Sequence, residues 1–82
     1  MTISKSTDYK ERFKVEYEEL LTRHGKLNKM LDMWDADKRE WNVTELGFKP
    51  TCPYRLLADQ SEVMQKYLDI LELRAIIEGI TL

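Results

Sequence analysis

The chain is poor in the residues that usually announce a chemistry. Its 82 residues include one cysteine, one histidine, two prolines and three glycines. Cys52 cannot close an internal disulfide, and without a second cysteine or a paired histidine it makes neither a zinc site nor an activated thiol. His24 falls on an apolar helix face with no clustered cysteine or carboxylate set around it, so no metal is expected. There is no glycine-rich phosphate loop and no pair of carboxylates placed for acid–base work, so no catalytic residue and no cofactor are expected. No charged-then-apolar leader and no run of about 18 apolar residues occurs, which argues against secretion and against a membrane span. A location in the cytoplasm is the expectation.

A bias of charge is missing too. Thirteen basic residues face fifteen acidic ones, for a formal net charge of -2. A DNA, RNA or anionic-membrane binder would want a basic footprint, and none is present. A small anionic ligand needs only two or three local cations and stays open. A chain of this length makes one domain, residues 1–82, and buries only roughly 60% of its unfolded surface, so self-association is expected to add stability.

What the sequence does have is helical rhythm. In "DYKERFKVEYEELLTRHGKLNKMLDMW", Phe13, Tyr17, Leu20, His24, Leu27, Leu31 and Trp34 alternate steps of four and three, the pattern of a helix with one buried seam. This predicts a helix over about 8–34, with Ser6 or Thr7 as N-cap and Asp8 at the positive end of the dipole. Gly25 interrupts it, either where another backbone comes close or as a local weak point worth roughly 1 kcal/mol against Ala. "TCPYRLLADQ" opens a second helix over about 53–78, with Pro53 in the first turn and Gly79 as a left-handed C-cap on which Ile80 folds back. The connector, 35–52, is too long to be structureless in a compact domain. Asp35 is placed to cap a short turn, and Trp41, Leu46 and Phe48 to fold over the hairpin end. The expected fold is all-α, an antiparallel two-helix hairpin with an ordered connector.

The second helix has more apolar surface than one partner can cover. Leu56, Val63, Ile70 and Ile77 form one row and Leu57, Met64 and Leu71 the next, with Gln60, Tyr67 and Arg74 between them. Left in water, this stripe would be a sticky patch. A homo-oligomeric helical bundle is therefore expected, with Leu56, Val63, Tyr67, Ile70, Ile77 and Ile80 at its interface.

Polar side chains crowd the edge of the first seam. Arg12, Glu16 and Arg23 lie within about 60° of one another beside Tyr9. One reading pairs Glu16 with Arg74 and lets the stems of Arg12 and Arg23 cover apolar surface. The other places Tyr9, Arg12 and Arg23 in a seam between protomers, where guanidinium forks grip phosphate and a ring stacks on a base. Arginines on a long helix also hold the dianion of small helical chorismate mutases. This chain lacks their third catalytic helix, and an enzyme is not expected.

The segments "DYKERFKVEYEELLTRHGKL" and "CPYRLLADQSEVMQKYLDILELRAIIEGI" resemble a family of small helical hairpins encoded by crAss-like and other tailed phages. That family is related to the hairpin domain of the anti-CBASS and anti-Thoeris sponge proteins, and the resemblance covers most of the chain outside 35–49. It implies a phage protein, acting in the cytoplasm of an infected bacterium, that assembles symmetrically and sequesters a cyclic oligonucleotide or cyclic ADP-ribose signal without cleaving it. Of the matching positions, Tyr9, Arg12, Arg23 and Arg74 have chemistry suited to a nucleotide. The longer connector and Gly25 depart from the pattern. They keep open an alternative, a module docking on a host protein through the apolar helix and through Trp34, Trp41 and Phe48.

Overall fold

The computed structural model describes residues 5–82, with side chains from Tyr9 onward. Five elements follow in order: α1 (Lys5–Leu31), β1 (Trp34–Asp35), β2 (Glu40–Trp41), α2 (Val43–Leu46) and α3 (Tyr54–Glu78). The two long helices pack antiparallel, as the side-chain bonds from Tyr9 to Glu78, Tyr17 to Glu72 and Ser61 to Asn28 require. Ser6 and Thr7 lie inside α1 rather than at its cap, and their side chains, like that of Asp8, are outside the described ones.

The seam of α1 follows the four-three rhythm. Phe13 and His24 are buried, and Tyr17, Leu20, Leu27 and Leu31 are half-buried. The answering face of α3 is Leu57, Ser61, Met64, Leu68, Leu71 and Ala75, again in steps of four and three. Leu68 and Leu71 are its best-covered members, at 2% and 0% exposure. Phe13, Leu71, Ala75 and Ile80 form the core cluster, with Tyr17 and Leu20 against it. Ile80 reaches that cluster through the helix end. Gly79 takes a left-handed conformation (φ 70°), and the Ile80 N–H bonds back to the Ala75 carbonyl at 2.8 Å. Ile80 is thus in the core of its own chain, not on the surface with the interface row expected of it.

One polar layer crosses the seam. Ser61 Oγ donates to Asn28 Oδ1 at 2.6 Å, and His24 Nε2 lies 3.2 Å from Ser61 Oγ and 3.3 Å from Asn28 Nδ2. Among the described residues no buried side-chain polar atom lacks a partner. A sliding of one helix against the other would break this layer, so it fixes register.

The connector is ordered and is not all helix. α1 tightens at Met33 and ends, because Trp34 leaves the helix to pair with Trp41 in a two-strand antiparallel sheet. Asp35 Oδ1 accepts from the Asp37 and Lys38 amides, so the expected Asp35 turn forms. Asn42 caps the single turn of α2 through the Glu45 amide. The all-α expectation holds for the two long helices, and the ordered connector adds one helical turn and a short strand pair across which Trp34 and Trp41 meet edge-on. Pro53 is the N-cap of α3, one residue before the first turn expected of it, and no side chain caps that end.

Gly25 resolves as a weak point. A Cβ there would meet nothing within 4 Å, so no backbone approaches it.

The hairpin is long and thin. It measures 57 × 26 × 17 Å and exposes 6532 Å², against roughly 5,200 Å² for a compact monomer of its mass. A second four-three series runs along α3: Leu56, Gln60, Val63, Tyr67, Ile70, Arg74 and Ile77. Its apolar members Leu56, Val63, Ile70 and Ile77 are 56–75% exposed.

Candidate functional site

The four cations and aromatics singled out from sequence fall in two places. Tyr9 and Arg74 meet at the end of the hairpin where α1 starts and α3 finishes. The Tyr9 hydroxyl donates to Glu78 Oε1 at 2.7 Å and accepts from Arg74 Nη2. Arg74 Nε also reaches Glu78 Oε2 at 3.2 Å, and its guanidinium sits 5.0 Å from the Phe13 ring centroid. The hydrogen bond from Tyr9 is the main reason the Glu78 carboxyl lies below its ordinary pKa, with Arg74 adding to it. The same bond raises the Tyr9 phenol, and the bond to Glu78 raises Arg74. The expected Glu16–Arg74 pair does not form. Glu16 instead accepts from the Tyr67 hydroxyl, because Arg74 is turned toward the helix end by its own i+4 carboxylate.

Arg12 and Arg23 lie apart from that cluster, along the outer edge of α1. With Glu16 and Glu19 they form a strip at helical spacing, the two arginines about 16 Å apart along the axis. Arg23 pairs with Glu19 at 3.8 Å, and both are well exposed. The shallow surface beside Arg12 is lined by Glu11, Glu16 and Glu19, and that beside Arg23 by Glu18, Glu19 and Lys26. Within the single chain neither arginine faces a surplus of positive charge.

The opposite end of the hairpin holds an aromatic platform, in which Trp41 folds over the hairpin end as expected and Tyr54 is the member not expected. Trp34 stacks on Tyr54 with centroids 4.9 Å apart and planes at 11°, and Trp41 meets Trp34 edge-on at 5.1 Å. The two tryptophans are therefore half-buried against a partner ring, not free surface aromatics, and Phe48 alone of the three stays exposed. A cleft of about 700 Å³ opens beside this platform and is lined further by Arg39, Lys49 and Arg55. Tyr54 was the missing signal: an aromatic just after Pro53 at a helix start belongs to the connector as much as to the helix. On the far side of the strand pair a second cleft is acidic, with Asp32, Asp35, Glu40 and Glu45 against Lys38.

Among the described residues no cluster of three metal-ligating side chains occurs, and no helix is long and apolar enough to cross a membrane. Cys52 is free and exposed.

The profile of the Sequestin family matches residues 7–77, which takes in both long helices and the whole connector. The chain belongs to the Sequestin family. No curated protein and no solved structure matches it at a significant level.

Proposed function

We propose, taking membership of the Sequestin family as the premise, that this protein binds and holds a signalling nucleotide without cleaving it. The family match over residues 7–77 carries this reading, since the family is named for sequestration. The ligand class is a cyclic oligonucleotide or a cyclic ADP-ribose-type signal, and the setting is a phage countering immunity in the cytoplasm of its bacterial host. Depletion of a messenger requires affinity and copy number, not chemistry, which agrees with a chain poor in catalytic groups.

A homo-oligomer completes the proposal. The open row Leu56, Val63, Ile70 and Ile77, with Tyr67 beside it, supports a second copy there. The roughly 1,300 Å² of exposed area beyond a compact monomer's is on the scale one partner contributes to a stable interface, about 800 Å². Tyr9, Arg12, Arg23 and Arg74 are the residues we assign to the ligand, flanking the seam between copies. There the apposition of two protomers brings together guanidinium groups that are diluted by carboxylates in one.

Light scattering coupled to size exclusion, followed by melts with cyclic dinucleotides, cyclic trinucleotides and cyclic ADP-ribose isomers, tests this. A true ligand at 100 times its dissociation constant stabilises the fold by about 2.7 kcal/mol per site. The same ligand is recovered intact after heating. Arg12→Ala and Arg23→Ala each remove the shift while leaving the oligomer unchanged; a panel with no shift at all sinks the reading. The exposed α3 row favours a second reading, a host protein docking there. It predicts capture of a partner that Ile70→Asp abolishes and nucleotides do not affect.

A further inference from the structure

We infer that the cleft beside Trp41 and Tyr54 is a nucleotide site in its own right, taking one base against the aromatic platform and its phosphate among Arg39, Lys49 and Arg55. The inference rests on the sequestration reading for the biological ligand, but not for the cleft itself.

Charge separates this cleft from the others described. It carries three cations against one carboxylate, Glu40, whereas the surface beside Arg12 is net acidic, that beside Arg23 is balanced, and the far side of the strand pair is strongly acidic. An anion entering from water is drawn to the first and repelled by two of the rest. Among the described residues neither Arg39 nor Lys49 has an ion pair, so a phosphate displaces no carboxylate from them. Arg55 shares Asp59 at 3.3 Å on an open helix face, a pairing weak enough to yield.

The apolar half of the ligand is met as well. Trp34, Trp41 and Tyr54 give a rigid wall, because each ring is held by another at 4.9–5.9 Å. A planar base stacks on such a wall whatever its identity, and a guanidinium beside it adds a cation–π contribution. A bare phosphate would have no use for the rings, and a neutral aromatic none for the cations. A nucleotide uses both.

Backbone geometry fixes where Arg39 stands. Arg39 has φ 56°, a left-handed conformation that favours glycine or asparagine and that no other described non-glycine residue adopts. That conformation closes the hairpin loop between β1 and β2, and it holds Arg39 at the edge of the cleft.

Both tryptophans of the chain line this cleft or its wall, so intrinsic fluorescence excited at 295 nm reports the site directly. Titration of the full-length protein with adenosine 5′-monophosphate is expected to quench it saturably. Inorganic phosphate is expected to reverse the quench without causing one, and adenosine to bind at least fivefold more weakly. Lys49→Glu and Arg55→Glu each weaken the nucleotide at least fivefold, whereas Lys66→Ala, on an exposed face of α3 away from every cleft described, leaves the quench unchanged. Arg39→Gly is the sharper variant: it relieves the left-handed strain, so the melting temperature holds or rises while the quench weakens. A quench insensitive to all three cleft variants, or none with the monophosphate, overturns the inference. A melt shift from a cyclic nucleotide with no fluorescence change keeps the sequestration reading and overturns this one. A monophosphate quench lost in the cleft variants, with the cyclic panel inert, does the reverse.

Discussion

The two faces of α3 follow the same rule and meet different fates. Leu57, Ser61, Met64, Leu68, Leu71 and Ala75 step by four and three and are covered by α1. Leu56, Gln60, Val63, Tyr67, Ile70, Arg74 and Ile77 step the same way about 100° around the helix; Tyr67 and Arg74 reach α1 at Glu16 and Tyr9, while Leu56, Val63, Ile70 and Ile77 stay exposed. The first face carries a serine and an alanine and is the less bulky; the second has the β-branched row. Hydrophobicity favours the first even so, because Gln60, Tyr67 and Arg74 interrupt the second. The choice went to the first because it lets Phe13 and Leu71 interlock, seats Ser61 opposite His24 and Asn28, and lets Ile80 close the end. The lesson is that apolar composition, polar registration and end closure point to the same face, and the leftover β-branched row stays open.

The comparison can be broken from the covered face first. Leu71→Ala removes the fully buried centre of the core and should cost about 2–5 kcal/mol, read by urea unfolding. Leu71→Ala and Ile70→Ala should differ sharply in a protomer held monomeric, and equal costs would mean that the covered face is no more important than the open one. On the open face, Val63→Glu together with Ile70→Glu should reduce the mass seen by light scattering to that of one chain, with the helical circular dichroism retained. Loss of helix instead would assign that row to the fold.

Smaller effects sharpen the picture. Gly25→Ala should stabilise by roughly 0.5–1 kcal/mol, because the site is helical with open space around it. A destabilised variant would restore the close-approach reading. The least effect concerns the Tyr9–Arg74–Glu78 cluster. Glu78 is lowered in the fold, so its contribution is present above the ordinary carboxylate pKa near 4.5 and is lost as pH falls through the lower folded value. Tyr9 is raised, so its contribution is present below about pH 10 and fades as pH climbs through the higher folded value. Melting temperature should therefore sag at both extremes, and Tyr9→Phe should flatten both sags. An unaltered profile in that variant would show the cluster to be incidental.

Much of the hairpin was legible because periodicity is a local property. The steps of Phe13, Tyr17, Leu20, His24, Leu27 and Leu31 fix one face whatever packs on it, and Gly79 signals its left-handed cap from its own lack of a side chain. The partners of polar residues were not legible. Glu16 and Arg74 stand at neighbouring levels, yet Arg74 turns to Glu78 and Tyr9 while Tyr67 takes Glu16, an outcome set by small rotations of each helix. The aromatic platform was hidden for a related reason. Trp34, Trp41 and Tyr54 are spread over 21 positions, and only the strand pair and the start of α3 bring their rings together.

The sequence by itself determined that there would be two long helices, where the second would end, and that α3 would carry more apolar surface than one partner covers. These follow from repeats and capping chemistry within a few residues of each position. Only the tertiary structure decided which face of α3 meets α1, that Ile80 belongs to the core, and that the cleft cations gather beside an aromatic wall. Those outcomes depend on the azimuth of one helix against the other and on a short sheet formed between residues far apart in the chain, and no local pattern encodes either.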